Sequence, residues 1–141
     1  MITLKDVAKA INQKLNDTFP NVEIQSKNIE EGYEPPCFYV DFDNVNTSKY
    51  GPNGFDRTIS VIIYYFPASK DNKKLELLDV QQKLETNFVD NLQIVEGFVV
   101  YPSDLNTVKV DGVLQTSFDI QLIEIAEDTD GDSMESLNLN L

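Results

Sequence analysis

Residues 32–42 read GYEPPCFYVDF, two prolines followed by an alternating run. Pro35 and Pro36 stop any helix that reaches them and hold the backbone before them extended. The next six residues alternate as a half-buried strand does. Phe38, Val40 and Phe42 fall on one face, and Cys37, Tyr39 and Asp41 on the other.

Toward the N-terminus, Thr3 and Asp6 form a capping box in which Asp replaces the usual Glu or Gln. Leu4, Val7, Ala8, Ile11, Leu15 and Phe19 then recur at helical spacing, which predicts an amphipathic helix of about four turns ending before Pro20. Val22 and Ile24 mark a short strand, and Glu30, Glu31, Gly32 and the prolines a turn.

Toward the C-terminus, residues 44–57 are rich in turn formers, including Gly51-Pro52-Asn53-Gly54, and read as a long hairpin loop carrying Tyr50 and Phe55. A third strand, 58–66, alternates through Ile59, Val61 and Ile63 and ends apolar on both faces, so cover is expected on both sides. That cover is either a helix of the same chain or a neighbouring subunit. Asp71 or Asn72 caps a second helix with Leu75, Leu78, Leu84 and Phe88 on one side, widened by Leu77 and Val80, and ending near Asp90.

Residues 92–101 and 107–110 read as two further strands, and Asp111-Gly112 as a two-residue hairpin turn. In the last strand, 113–125, Leu114, Phe118, Ile120 and Leu122 oppose Gln115, Ser117, Asp119 and Gln121. Helices separated by hairpin-linked strands predict an α+β fold, a mostly antiparallel sheet with two helices packed on it. The expected organisation is one domain over residues 1–125 and an acidic tail over 126–141.

The composition, 41% apolar and 25% charged over 141 residues, is that of an ordinary globular domain. The longest apolar run, 61–67, is too short to cross a bilayer, and the N-terminus lacks the basic-then-apolar order of a secretory signal, so an intracellular protein is expected. A single cysteine, Cys37, forms no internal disulfide and reads as a small core hydrophobe. With no histidine, serine-histidine and cysteine-histidine catalysis within the chain are excluded. A formal charge of −13, with no Lys or Arg after Lys109, argues against a grip on nucleic acid. It suits an acidic wall past which DNA slides.

Asp128-Thr-Asp130-Gly-Asp132 matches the opening of a calcium-binding loop, but Ser133 stands at the sixth position in place of glycine. Leu139 likewise stands at the twelfth in place of glutamate, so the segment reads as a solvated acidic tail. Asp41 and Asp43, at i and i+2, are the best pair for a magnesium-dependent nucleic-acid-processing enzyme, a reading any polar sheet face would also produce. No glycine-rich phosphate loop occurs, and no catalytic, cofactor-binding or metal-ligating residue is assigned. Leu137, Leu139 and Leu141 alternate like a small strand, for which addition to a neighbour's sheet edge is one physical role.

The order of elements, with Ile2-Thr-Leu-Lys-Asp6 opening a helix that ends in Thr18-Phe-Pro20, then Glu30-Glu-Gly32 and Pro36-Cys-Phe-Tyr-Val40, resembles a family of phage tail terminator proteins over about residues 2–125. The resemblance implies an α+β structural protein, not an enzyme. Such a protein forms a ring, usually hexameric, at the head-proximal end of a tail tube in phages and phage-like bacteriocins. It also implies as partners the tail tube protein, a neck or head-completion protein and, in contractile tails, the sheath, with DNA passing through the lumen unbound. Location in the virion tail or neck after assembly in the host cytoplasm follows. Another neck component is the alternative within this class. The expected contact residues are Tyr50, Phe55, Leu137, Leu139 and Leu141.

Overall fold

A computed structural model describes residues 2–25, 34–68 and 73–125. The chain runs α1 (Leu4–Thr18), β1 (Glu23–Gln25), β2 (Cys37–Tyr50), β3 (Gly54–Phe66), α2 (Lys73–Phe88), β4 (Leu92–Val95), β5 (Phe98–Val100), β6 (Ser103–Val110) and β7 (Val113–Ile125). It is the α+β arrangement that the sequence predicts, with one sheet ordered β1-β2-β3-β7-β6. Every pairing in that sheet is antiparallel except β1 with β2.

Local chemistry sets the boundaries. Thr3 Oγ1 accepts the Asp6 amide at 3.1 Å and an Asp6 carboxylate oxygen accepts the Thr3 amide at 2.9 Å, the reciprocal cap expected at the start of α1. The Thr3 backbone hydrogen bond holds the Asp6 carboxyl below its ordinary value. β2 begins immediately after the Pro35-Pro36 peptide, which is cis. Asp111 and Gly112 both take positive φ, 52° and 79°, the backbone of a primed two-residue turn whose twist matches the strands it joins. Asp71 and Asn72, the expected caps of α2, lie outside the described residues.

One core joins the helices to one face of the sheet. Val7, Ile11 and Leu15 of α1 and Leu77, Val80, Leu84 and Phe88 of α2 meet Phe38, Ile59, Val61, Ile63, Leu114, Phe118, Ile120 and Leu122. Phe88 stacks on Phe118 with centroids 5.6 Å apart, and Phe38 lies 4.9 Å from Phe19 and 5.0 Å from Tyr65. Thr116, fully buried among these groups, is satisfied by the Thr107 hydroxyl at 3.1 Å. Cys37 is buried, as expected, and burial raises its thiol pKa, with Glu23 adding to the effect.

Four expectations are corrected. The segment 44–57 is not a loop: β2 and β3 stay paired to Tyr50↔Gly54, and only residues 51–53 turn. Ladder hydrogen bonding overrides the turn propensities of its Asn and Ser residues. Residues 92–101 are not one strand, because Glu96-Gly97, with Gly97 at φ 82°, folds β4 and β5 into a separate hairpin against α1. The buried stripe of α2 is Leu77, Val80, Leu84 and Phe88, which leaves Leu75 67% and Leu78 47% exposed. The second face of β3 is half-exposed through Thr58, Ser60, Ile62 and Tyr64 because both helices pack on the other side, so of the two covers expected there a helix of the same chain is ruled out among the described residues.

Candidate interaction surfaces

Strand register sorts every strand residue onto one of two faces. Across β2, β3 and β7 the rows Tyr39-Tyr64-Gln115, Asp41-Ile62-Ser117, Asn44-Ser60-Asp119 and Asn46-Thr58-Gln121 lie on the face away from the helices. Val108 and Val110 of β6 extend that open face, being paired with Gln115 and Val113.

Positive charge, among the described residues, keeps to the helix side of the sheet, while acidic residues occur on both sides. Lys5, Lys9 and Lys14 stand on α1, and Lys73, Lys74 and Lys83 on α2. Lys49, Arg57 and Lys109 are paired with Phe55, Thr47 and Leu114, all positions of the helix-side face. No described Lys or Arg occupies a strand position on the open face, whereas Asp41, Asp56 and Asp119 do. Neutral groups hold two of these carboxylates: Ser60 Oγ donates to Asp119 at 2.8 Å, and Gln121 Nε2 to Asp56 at 3.1 Å. Among the described residues no cation pairs with either of them.

At one end this face becomes apolar. Tyr39, Tyr64, Phe66, Val110 and Val113 line an open groove of about 340 Å³ with Asp41 and Asp111 at its rim. Burial raises the Tyr64 hydroxyl pKa, and the Asp41 and Asp43 charges raise it further.

The predicted contact residues divide in two. Tyr50 and Phe55, 46% and 40% exposed, flank the tip of the β2–β3 hairpin on opposite faces: Tyr50 pairs with Gly54, and Phe55 with Lys49. Leu137, Leu139 and Leu141 lie outside the described residues. Asp41 and Asp43 straddle a register shift between Phe42 and Asn44, where Asp43 is the extra residue of a bulge. Among the described residues no three His, Cys, Asp or Glu side chains converge to hold a metal ion.

Sequence reasoning missed a partly buried ion pair. Arg57 Nη2 lies 3.0 Å from Glu124 Oε1 and donates to the Ile2 carbonyl, while Glu124 Oε2 accepts the Ile2 amide at 2.9 Å. The signal was available, since Arg57 is in phase with inward Ile59, Val61 and Ile63, and Glu124 with inward Ile120 and Leu122.

Taken together, these features describe an α+β domain whose five-stranded sheet packs both helices on one face and leaves the other open. A family model described as phage tail terminator protein matches residues 6–132, and the chain belongs to the phage tail terminator family. The family is structural rather than enzymatic, and its members are components of the virion tail. A search of curated proteins finds no match. No described helix is long and apolar enough to cross a membrane.

Proposed function

We propose that this protein forms a closed ring of six subunits at the head-proximal end of a phage tail tube, ends tube polymerisation there and joins the tail to the neck. In this reading the open sheet face lines the passage, and DNA moves through it without specific binding. The observation that carries the reading is the absence, among the described residues, of Lys and Arg from the strand positions of that face, beside Asp41, Asp56 and Asp119. Gripping duplex DNA requires cations that displace its counterions, and a wall of carboxylates and neutral amides and hydroxyls has none to offer. The projecting tip with Tyr50 and Phe55, and the terminal Leu137, Leu139 and Leu141, are the contact elements toward neighbouring subunits, the tube and the neck protein. Assembly takes place in the cytoplasm of the infected host.

The experiment measures the mass of the purified protein by light scattering, alone and with the tail tube protein of the same phage, followed by negative-stain imaging. A ring, or a monomer that becomes a ring on the tube end and halts elongation, is the expected result. A monomer that leaves tube growth unchanged would overturn the reading.

A further inference from the structure

β1 covers the outer edge of β2 only at Cys37, Phe38 and Tyr39, and β6 covers the outer edge of β7 only from Val113 to Asp119. Beyond those limits β2, β3 and β7 continue as a three-stranded arm, paired from Asn44↔Ser60 to Tyr50↔Gly54 and from Asp119↔Ser60 to Ile125↔Gly54. Both outer edges of the arm, 43–50 and 120–125, are thus without a strand partner among the described residues. Such an edge presents a row of unpaired amides and carbonyls that template another strand.

We infer that the outer edge of β2 in one subunit adds to the outer edge of β7 in the next, joining the arms into one continuous sheet. The inference rests on the ring reading above and names the contact that closes the ring.

The two edges suit each other on both faces. On the helix-side face, Lys49, Phe55 and Glu124 form one row. Lys49, which makes no ion pair among the described residues, stands at one edge, and Glu124, whose carboxylate already pairs with Arg57 and accepts the Ile2 amide, at the other. On the open face the next row is Tyr50, Gly54 and Ile125, with exposed Tyr50 at one edge and 67%-exposed Ile125 at the other. Adding a second copy without a register shift puts its Lys49 beside Glu124 and its Tyr50 beside Ile125. An apolar contact then forms on one face and an opposite-charge contact on the other. Different edges meet, so the contact is heterologous, and copies can add until rotation closes the ring.

Strand direction agrees as well. β2 and β7 each run antiparallel to β3 and so parallel to each other. Rotation about a ring axis preserves strand direction relative to that axis, so the joined edges pair in parallel.

The test uses the full chain carrying Ser48→Cys and Ile123→Cys, two exposed positions in one row of the open face. Within a subunit β3 lies between them, putting them two strand spacings or about 9.6 Å apart, beyond disulfide reach. Across the proposed contact they are adjacent. Mild oxidation of rings assembled on tube ends, followed by non-reducing electrophoresis, is expected to give a ladder of linked subunits up to the full ring. Neither single variant should give it. In parallel, Lys49→Glu is expected to lower ring yield about tenfold as a like-charge pair replaces an opposite-charge one. Rings visible by negative stain without the ladder, or Ser48→Cys alone forming dimers as efficiently, would overturn this contact while leaving the ring reading intact. Wild-type protein that forms no ring with the tube would overturn both.

Discussion

Arg57 and Glu124 form a salt bridge of 3.0 Å between β3 and β7, and together they hold both backbone polar groups of Ile2. The pair ties the start of α1 to the half of the arm nearest its tip, so the position of the N-terminal helix and that of the strand ends beside the hairpin turn are fixed by one group of contacts. Arg57 is 8% exposed, and its Nε has no hydrogen-bond partner among the described residues, so its desolvation is only partly offset.

Removing one partner should therefore cost more than removing both. Glu124→Ala leaves a buried guanidinium uncompensated and is expected to lower stability by about 3 kcal/mol, while Arg57→Met with Glu124→Leu recovers most of that loss. Urea unfolding of the single and double variants measures the difference. A double variant no more stable than Glu124→Ala would refute the account.

The hairpin tip gives the opposite expectation. Tyr50 and Phe55 are exposed and lie outside the core, so Tyr50→Ala and Phe55→Ala should each change stability by less than about 0.5 kcal/mol. Each should nevertheless reduce ring yield on tube ends, because aromatic anchors dominate interface energetics. Sedimentation separates the two effects. Unchanged assembly in both variants would remove the tip from the interface.

Much of this fold could be read from periodicity. The alternation of β2, the last strand and the α1 stripe is imposed by burial on a single side, and sequence reports that burial directly. The arm could not be read so, because most residues from Asp43 to Tyr50 are small or polar and both their faces meet solvent. No alternation survives there, and turn propensity dominates the reading. The α2 stripe was misassigned for a related reason. Leu75, Leu77, Leu78, Val80, Leu84 and Phe88 cover too wide an arc for one packing surface, and only tertiary contact selects which of them go inward. The confinement of positive charge, among the described residues, to the helix side of the sheet was hidden until register placed Lys49 and Asp56 on opposite sides.

Gly54 shows how tightly the arm closes. A Cβ there would sit 2.4 Å from the Tyr50 carbonyl oxygen and 3.0 Å from that of Glu124, both backbone atoms that cannot move aside without opening the ladder. Gly54→Ala is expected to destabilise by about 1–3 kcal/mol. Gly51→Ala, with open space around it but φ of 66°, should cost about 1 kcal/mol. Amide hydrogen exchange should place the Gly54→Ala damage in residues 45–59 and 120–125. Uniform protection across the sheet would contradict the prediction.

Tyr65 supplies a pH test of the β3–α2 junction. Its hydroxyl donates to Glu76 Oε2 at 2.6 Å, and the same oxygen accepts the Ala68 amide at 2.9 Å. Burial, reinforced by the hydrogen bond to Glu76 and by its charge, pushes the Tyr65 pKa well above its ordinary value of 10.0. A raised folded-state pKa means that the unfolded chain gives up this proton first. The contribution is fully present below pH 10 and is lost progressively as pH rises beyond it. Lys14 acts in the opposite sense: burial lowers its pKa below 10.5, Asp90 opposing, so that group alone would favour folding at high pH. Burial of Cys37 adds a loss that begins above 9.0. Comparison with Tyr65→Phe cancels both, because Lys14 and Cys37 are common to the two proteins. At pH 8 the wild type should be more stable by about 1.5–3 kcal/mol, the worth of one hydrogen bond to a charged acceptor. Urea midpoints measured from pH 8 to 11.5 should show that advantage shrinking above pH 10. A difference that stays constant across this range would mean that the Tyr65–Glu76 contact does not hold the hydroxyl proton in the folded protein.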